Sequence, residues 1–278
     1  AELSEYAAKN LKPFGFGFIQ IDDGWQEGIA DNGPKKNFSA HATQGGYPGG
    51  MKPTADMIKK LGLTPGIWFM PFAGNHKDPY FLEHQDWFAK GPDGKPFVTD
   101  WGGTCLDMTH PAARENLRTI VRRLAHDWGY TFFKLDGFWT GSATRQIYVN
   151  DGYRDDGIGE TEFADPDKTN IEVLRDGVAL VREAAGPEVF LLGCCVSQNM
   201  RSFGGSFGLL DAMRVGPDTG SGLIGAPHAS RLWFLNGRVW WNDPDCVSVR
   251  AGRPLEQARL NASFTAIAGD LFYNSDWM

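Results

Sequence analysis

Residues 15–22, GFGFIQID, form a short apolar run that opens on glycine and closes on an acid. A long polar stretch follows over 23–52, then a segment of helical period at about 53–61, then a second apolar run, TPGIWFM, at 64–70. Strand, long loop, helix and strand in that order make a βα unit, the building block of a parallel sheet. The same unit recurs down the chain. Further strands are expected near 131–136 (TFFKLD), 189–195 (VFLLGCC), 212–216 (AMRVG), 238–242 (RVWWN) and 271–274 (LFYN). Helices are expected at about 2–12, 110–127, 170–185, 229–236 and 254–268, the second of these starting at Thr109 with Pro111 in its first turn.

An α/β chain of this alternation reads as a (β/α)8 TIM barrel, because no GxGxxG follows the first strand to favour a doubly wound sheet. The strands number seven, and the chain opens on a helix. The expectation is therefore that strand one lies upstream of residue 1, with residues 1–278 a single barrel domain, strands two to eight, within a longer protein. Long polar stretches at 23–52, 71–108 and 137–169 follow strands, and in a barrel such loops gather at the C-terminal mouth where sites are assembled.

The composition narrows the class of partner. With 278 residues, 42% of them hydrophobic, the chain is long enough to bury one large core. A net charge of −7 argues against nucleic acid and anionic membrane surfaces, which call for clustered positive charge. Ten Trp and seven Tyr offer flat faces that suit stacking on sugar rings, although aromatic side chains mostly build cores. Cys105, Cys194, Cys195 and Cys246 have no CxxC or Cys/His metal spacing and are read as reduced thiols. The six histidines form no HxxxH pattern or triad. No run of 18 apolar residues occurs, and the first residues lack the zones of a signal peptide; neither compartment nor oligomeric state follows from the sequence.

Acids recur where the expected strands end: Asp22 and Asp23, Asp136, Asp218, then Asp243 and Asp245. Any one of them alone fits a cap on the turn after a strand, but the set converges on one mouth. Lys134 and Asp136 stand two residues apart in FKLDGFW and so share a face of their strand. A lysine and an acid inside an apolar barrel need each other or a ligand. In MRVGPDTG, Arg214 sits inside the mouth and a Gly-Pro turn displays Asp218 above it. Two carboxylates about 5 to 5.5 Å apart run a retaining double displacement at a sugar's anomeric carbon. Asp243 and Asp245 are expected at the rim, and Trp241 and Asn242 beside the pocket.

FIQIDDGW, GIWFMPF, FKLDGFW, MRVGPDTG and WWNDPDCVSVR, in this order, resemble the marks of the α-galactosidase clan of glycoside hydrolases, with family thirty-six nearest and family twenty-seven as cousin. The resemblance runs over about residues 1–277. It implies Asp136 as nucleophile and Asp218 as general acid/base, Asp22 and Asp23 on the 4- and 6-hydroxyls, Lys134 on the 3- and 4-hydroxyls, and Arg214 near the 2-substituent. It also implies that Trp25 and Trp68 wall the pocket, and that no metal or organic cofactor is required. Two stretches depart from the pattern. Met70, Pro71 and Phe72 stand where family thirty-six carries an acidic pair around proline, and GCCVSQNMRSFGG places Cys194 or Cys195 where the 2-substituent is sensed. The expected activity is hydrolysis of terminal α-linked galactose from oligosaccharides or glycans. The alternatives are an α-N-acetylgalactosaminidase or other exo-α-glycosidase or transglycosylase of the clan, and a noncatalytic sugar-binding barrel.

Overall fold

The computed structural model describes residues 1–145, 157–194, 202–216, 218, 230–250, 252–272 and 274–275. Six strands lie side by side in chain order: β1 (Phe18–Ile21), β2 (Thr64–Phe69), β3 (Phe132–Leu135), β4 (Phe190–Gly193), β5 (Ala212–Arg214) and β6 (Trp241–Asp243). Every neighbouring pair is parallel. The principal helices are α1 (Glu2–Asn10), α2 (Met51–Lys60), α3 (Pro111–Arg122), α4 (Asn170–Ala185) and α5 (Leu255–Ala268). This is the α/β architecture expected, a parallel sheet wrapped by helices but short of a closed barrel.

The period of each strand separates two faces. Ile67, Phe69, Phe133, Leu135 and Leu191 point outward into the main core, where Ala113, Leu117, Ile120 and Val121 of α3 and Val173, Leu174, Val178 and Val181 of α4 meet them at three- and four-residue spacing. On the inner face Phe132, Leu192 and Ala212 cluster with Phe18, Phe190 and Leu271. The rings of Phe18 and Phe132 stack at 4.4 Å, and those of Phe132 and Phe190 at 5.2 Å. Gly66 makes this possible: a Cβ there would stand 2.9 Å from the ring of Phe132, so the residue between Phe18 and Phe132 must be bare. Above this apolar floor the inner face turns polar with Gln20, Asp22, Lys134 and Arg214.

Local sequence explains the helix starts. α4 opens with a capping box, the Thr169 hydroxyl accepting from the Glu172 N–H while the Glu172 carboxylate accepts from the Thr169 N–H. α3 opens on Pro111 with His110 as its N-cap, one residue beyond the Thr109 start expected, because Thr109 instead donates both its N–H and its hydroxyl to Asp107. The helix expected over 110–127 is α-helical to Arg122 and finishes in a π-turn over Arg123–Asp127. Of the helix expected at 229–236, residue 229 lies outside the described residues and 232–235 run as turns.

The strand expected at 271–274 is absent among the described residues; the Leu271 N–H donates to Asn242 O at 2.7 Å. A parallel strand is held through both edges, and on the side away from β6 this segment faces a cleft of about 900 Å³ lined by Phe16, Phe18, Gln20, Asp270, Leu271 and Phe272, among others. The cleft lies between β1 and residues 270–272, where the rings of Phe16 and Phe272 meet edge-on at 5.7 Å.

The long loops after β1 and β2 are built, not loose. Residues Ala73–Gly74, Gly103–Cys105 and Val98–Thr99 make a small antiparallel sheet. Asp78 ties it to the preceding loop: its carboxylate accepts from the N–H of Ile29 and of Tyr80, each at 3.0 Å, and from Asn37 Nδ2 at 3.3 Å. Lys36, 1% exposed, lies between the two loops with its ammonium on Asn32 Oδ1 and the carbonyls of Asn32 and Pro34. Burial pushes Lys36 down to about 8, against the opposing pull of Asp23 and Asp31.

Candidate active site

The C-terminal ends of β1, β2 and β3 bring Asp22, Trp68, Lys134 and Asp136 to one mouth. Lys134 stands level with Trp68 of β2 and Leu192 of β4. Its Nζ donates to Asp22 Oδ2 at 3.0 Å, and Gln20 Nε2 donates to the same oxygen at 2.7 Å. The lysine therefore pairs across the sheet with Asp22, while Asp136, on its own strand, acts on it through space. Burial pushes the Lys134 ammonium down, but Asp22, Cys194 and Asp136 together outweigh it and hold the group well above the usual lysine range. It is a fixed cation at every physiological pH.

Asp136 is held by two neutral donors. The Trp68 indole N–H donates to Oδ2 at 2.9 Å and the Gly137 N–H donates to Oδ1 at 2.7 Å. Gly137 adopts φ +69°, a conformation that favours glycine, and a Cβ there would require the Met70 methyl to shift. Gly137→Ala is expected to cost about 1–2 kcal/mol and to lower Tm by a few degrees in a thermal melt. An unchanged Tm would mean that the turn relaxes freely.

Asp23 is set by a residue not singled out from sequence. Gln26, 1% exposed, donates Nε2 to Asp23 Oδ1 at 2.5 Å and to Lys35 O at 2.9 Å, while its Oε1 accepts from the Gly24 N–H at 3.0 Å. Every polar atom of the Gln26 amide is thereby used to fix the turn that carries Asp23. Gln20 was readable, since it lies two residues before Asp22 and so shares its face; Gln26 left no pattern.

On the other side of the mouth, Arg214 is 3% exposed. Its Nη2 lies 2.7 Å from Asp218 Oδ1 and 3.1 Å from Asp245 Oδ2, and its Nη1 lies 3.9 Å from Cys194 Sγ. The Asp218 side chain is 81% exposed. Asp243 and Asp245 do not sit at the rim: Asp243 is wholly buried within β6 and Asp245 lies against Arg214. Burial pushes the Asp243 carboxyl up to about 6, with Arg214 pulling it down and Asp245 pushing it further up. Asn242 turns away from the pocket, its amide taken by Trp240 Nε1 and Leu232 O.

Trp25 is not a wall of open space. It is 1% exposed, packs edge-on against Trp128 at 5.8 Å, and donates its indole N–H to the Trp68 carbonyl at 2.7 Å. Trp25 supports the strand that presents Trp68. Cys194 is buried at the end of β4 and is not in a disulfide, and Cys195 lies outside the described residues. Among the described residues no group of three or more His, Cys, Asp or Glu is placed to hold a metal ion, and no helix is long and apolar enough to cross a membrane.

The family model described as Melibiase matches residues 2–145, just over half of the chain. The chain belongs to the melibiase family. The chain is thus part of an α-galactosidase-like glycoside hydrolase family. The α-galactosidase TtGalA from Thermus thermophilus, solved in complex with stachyose, superposes with a TM-score of 0.69 at 27% identity, over 99% of this chain and 57% of that one. An enzyme of Flavonifractor plautii described as A type blood alpha-D-galactosamine galactosaminidase is 27% identical over 152 residues, which are 50% of this chain and 13% of that enzyme. A family 27 β-L-arabinopyranosidase from Geobacillus stearothermophilus shares the fold, with a TM-score of 0.65 at 18% identity over 98% of this chain and 66% of its own. The chain thus spans only part of each of these relatives.

Proposed function

We propose that the chain carries the catalytic site of a retaining exo-α-galactosidase whose motifs most resemble family thirty-six of the clan, with residues 1–278 as one catalytic domain. The observation that carries the reading is the shared mouth. A fixed cation, Lys134, paired to Asp22, sits beside a carboxylate, Asp136, that two neutral N–H groups hold in place. Such a carboxylate is aimed, and it is not neutralised by a direct ion pair.

In this reading an Asp136 oxygen forms a bond to the anomeric carbon as the bond from that carbon to the leaving oxygen breaks. The departing electron pair stays on the leaving oxygen, which takes the Asp218 proton. Asp218 then removes a proton from water, the water oxygen bonds to the anomeric carbon, and Asp136 departs as carboxylate with net retention. Asp218 turns away from Arg214 to do this, and Asp245, already 3.1 Å from the same Nη2, keeps the guanidinium paired. In this reading Asp22, oriented by Lys134 and Gln20, and Asp23, oriented by Gln26, accept hydrogen bonds from the sugar's 4- and 6-hydroxyls. The complexes of TtGalA with stachyose and with p-nitrophenyl α-D-galactopyranoside support a galactoside.

A second reading follows from the Flavonifractor relative, whose name specifies galactosamine. The Arg214 cation disfavours it if this residue faces the 2-substituent, since an ammonium there would meet a like charge. Aryl α-galactoside, α-N-acetylgalactosaminide and α-galactosaminide substrates, with the product anomer followed by proton NMR, separate the readings. Release of α-galactose from the first alone is the expected result. A β-anomeric first product would remove the retaining mechanism, and cleavage of none would leave a sugar-binding barrel.

A further inference from the structure

Trp68 is separated from Asp136 by 68 residues, yet its indole nitrogen lies 2.9 Å from Asp136 Oδ2. The ring is 2% exposed and stands edge-on to Phe38 at 6.0 Å, while its own carbonyl is gripped by Trp25 at 2.7 Å. A side chain locked in this way has almost no freedom to follow a moving partner. The Gly137 N–H holds the other oxygen, so the carboxyl group is clamped at both ends and cannot rotate about its Cβ–Cγ bond without losing a donor. An N–H aimed at a charged oxygen from a dry wall is a strong, directional hydrogen bond.

We propose that Trp68 is a positioning residue for the nucleophile: its indole N–H sets the rotation of the Asp136 carboxylate so that an oxygen faces the anomeric carbon, beyond any part the ring plays as a wall. The proposal rests on Asp136 being the nucleophile. Trp25 and Phe38 serve it indirectly by holding the Trp68 ring. A tyrosine or phenylalanine would fill much of the same space, but only a group with N–H or O–H at the right reach supplies the bond.

The test uses Trp68→Phe, which keeps an aromatic ring and removes the donor, and an activated fluorinated α-galactoside that forms the covalent intermediate and releases it slowly. The trapping rate constant is expected to fall about 10- to 100-fold, the loss of one hydrogen bond to a charged group, with the reagent's dissociation constant within about two-fold of wild type. A trapping rate within about two-fold of wild type would overturn the proposal and leave Trp68 as packing. Peptide mapping of the trapped wild-type protein keeps the two claims apart: a label on Asp136 upholds the underlying assignment whatever Trp68→Phe does, and a label elsewhere removes both. If Trp68→Phe does not fold, wild-type protein with 15N-labelled tryptophan decides. One of the ten indole N–H resonances should move on trapping, and the same one in Asp136→Asn. No resonance common to both would overturn the proposal.

Discussion

Asp136→Asn is expected to lower turnover of an aryl α-galactoside by about 10⁴-fold or more, because an amide neither attacks the anomeric carbon nor leaves as an anion in the second step. The fold should survive. The amide oxygen can still accept one of the two N–H groups that meet this side chain, from Trp68 or Gly137, and the charge lost is not the partner of the buried Lys134, which belongs to Asp22. Turnover and urea melts measured on one preparation give both halves of the result. Activity within about ten-fold of wild type would end the assignment of Asp136. A collapse of stability would instead show that its charge matters to the mouth as a whole.

Arg214→Met is expected to cost about 3–5 kcal/mol of stability near neutral pH, the penalty of leaving buried carboxylates without their cation. Little of this comes from Asp218, whose side chain is 81% exposed, and most from Asp245 and the fully buried Asp243. The pH dependence identifies the cause. Burial raises Asp243 to about 6 from its ordinary 3.8, so the folded state holds its proton more tightly than the unfolded chain does. Its contribution to stability is full below about pH 4 and is lost as pH rises through 6. Without Arg214 that loss deepens, so urea melts should show a larger deficit at pH 7.5 than at pH 4.5, and Asp243→Asn should flatten the decline between pH 4 and 6. An equal deficit at both pH values would mean that Arg214 contributes through packing and not through charge.

Asp270 belongs to the same network. Burial and the neighbouring Asp243 push it up to about 6, and it lines the cleft beside β1. Three acids, Asp243, Asp245 and Asp270, thus lean on an inner face whose described cations are Lys134 and Arg214. That is why the loss of one guanidinium should be felt well beyond its own hydrogen bonds.

Four of the six strands were legible as short runs rich in Ile, Leu or Phe, and the other two, β5 and β6, from the runs AMRVG and RVWWN. The strand-end acids were legible for a related reason. Period-two spacing puts Lys134 with Asp136, and strand polarity puts both at one end. The seventh run, 271–274, has the composition of a strand but forms none among the described residues, where the Leu271 N–H donates to Asn242 O. Pairing on a second edge is a tertiary fact that no local run reports.

The sequence by itself determined the α/β class, the strand-end positions of Asp22, Lys134, Asp136, Arg214 and Asp218, and membership of the melibiase family, because these depend on periodicity and on short motifs. Only the tertiary structure decided who partners whom. It gave Lys134 to Asp22, turned Trp25 into a prop for Trp68, aimed the Trp68 indole at Asp136, buried Asp243 against Arg214 and spent Gln26 on Asp23. Each of these links joins residues through direction and burial, and a hydrogen bond's strength depends on both, whereas a sequence records neither.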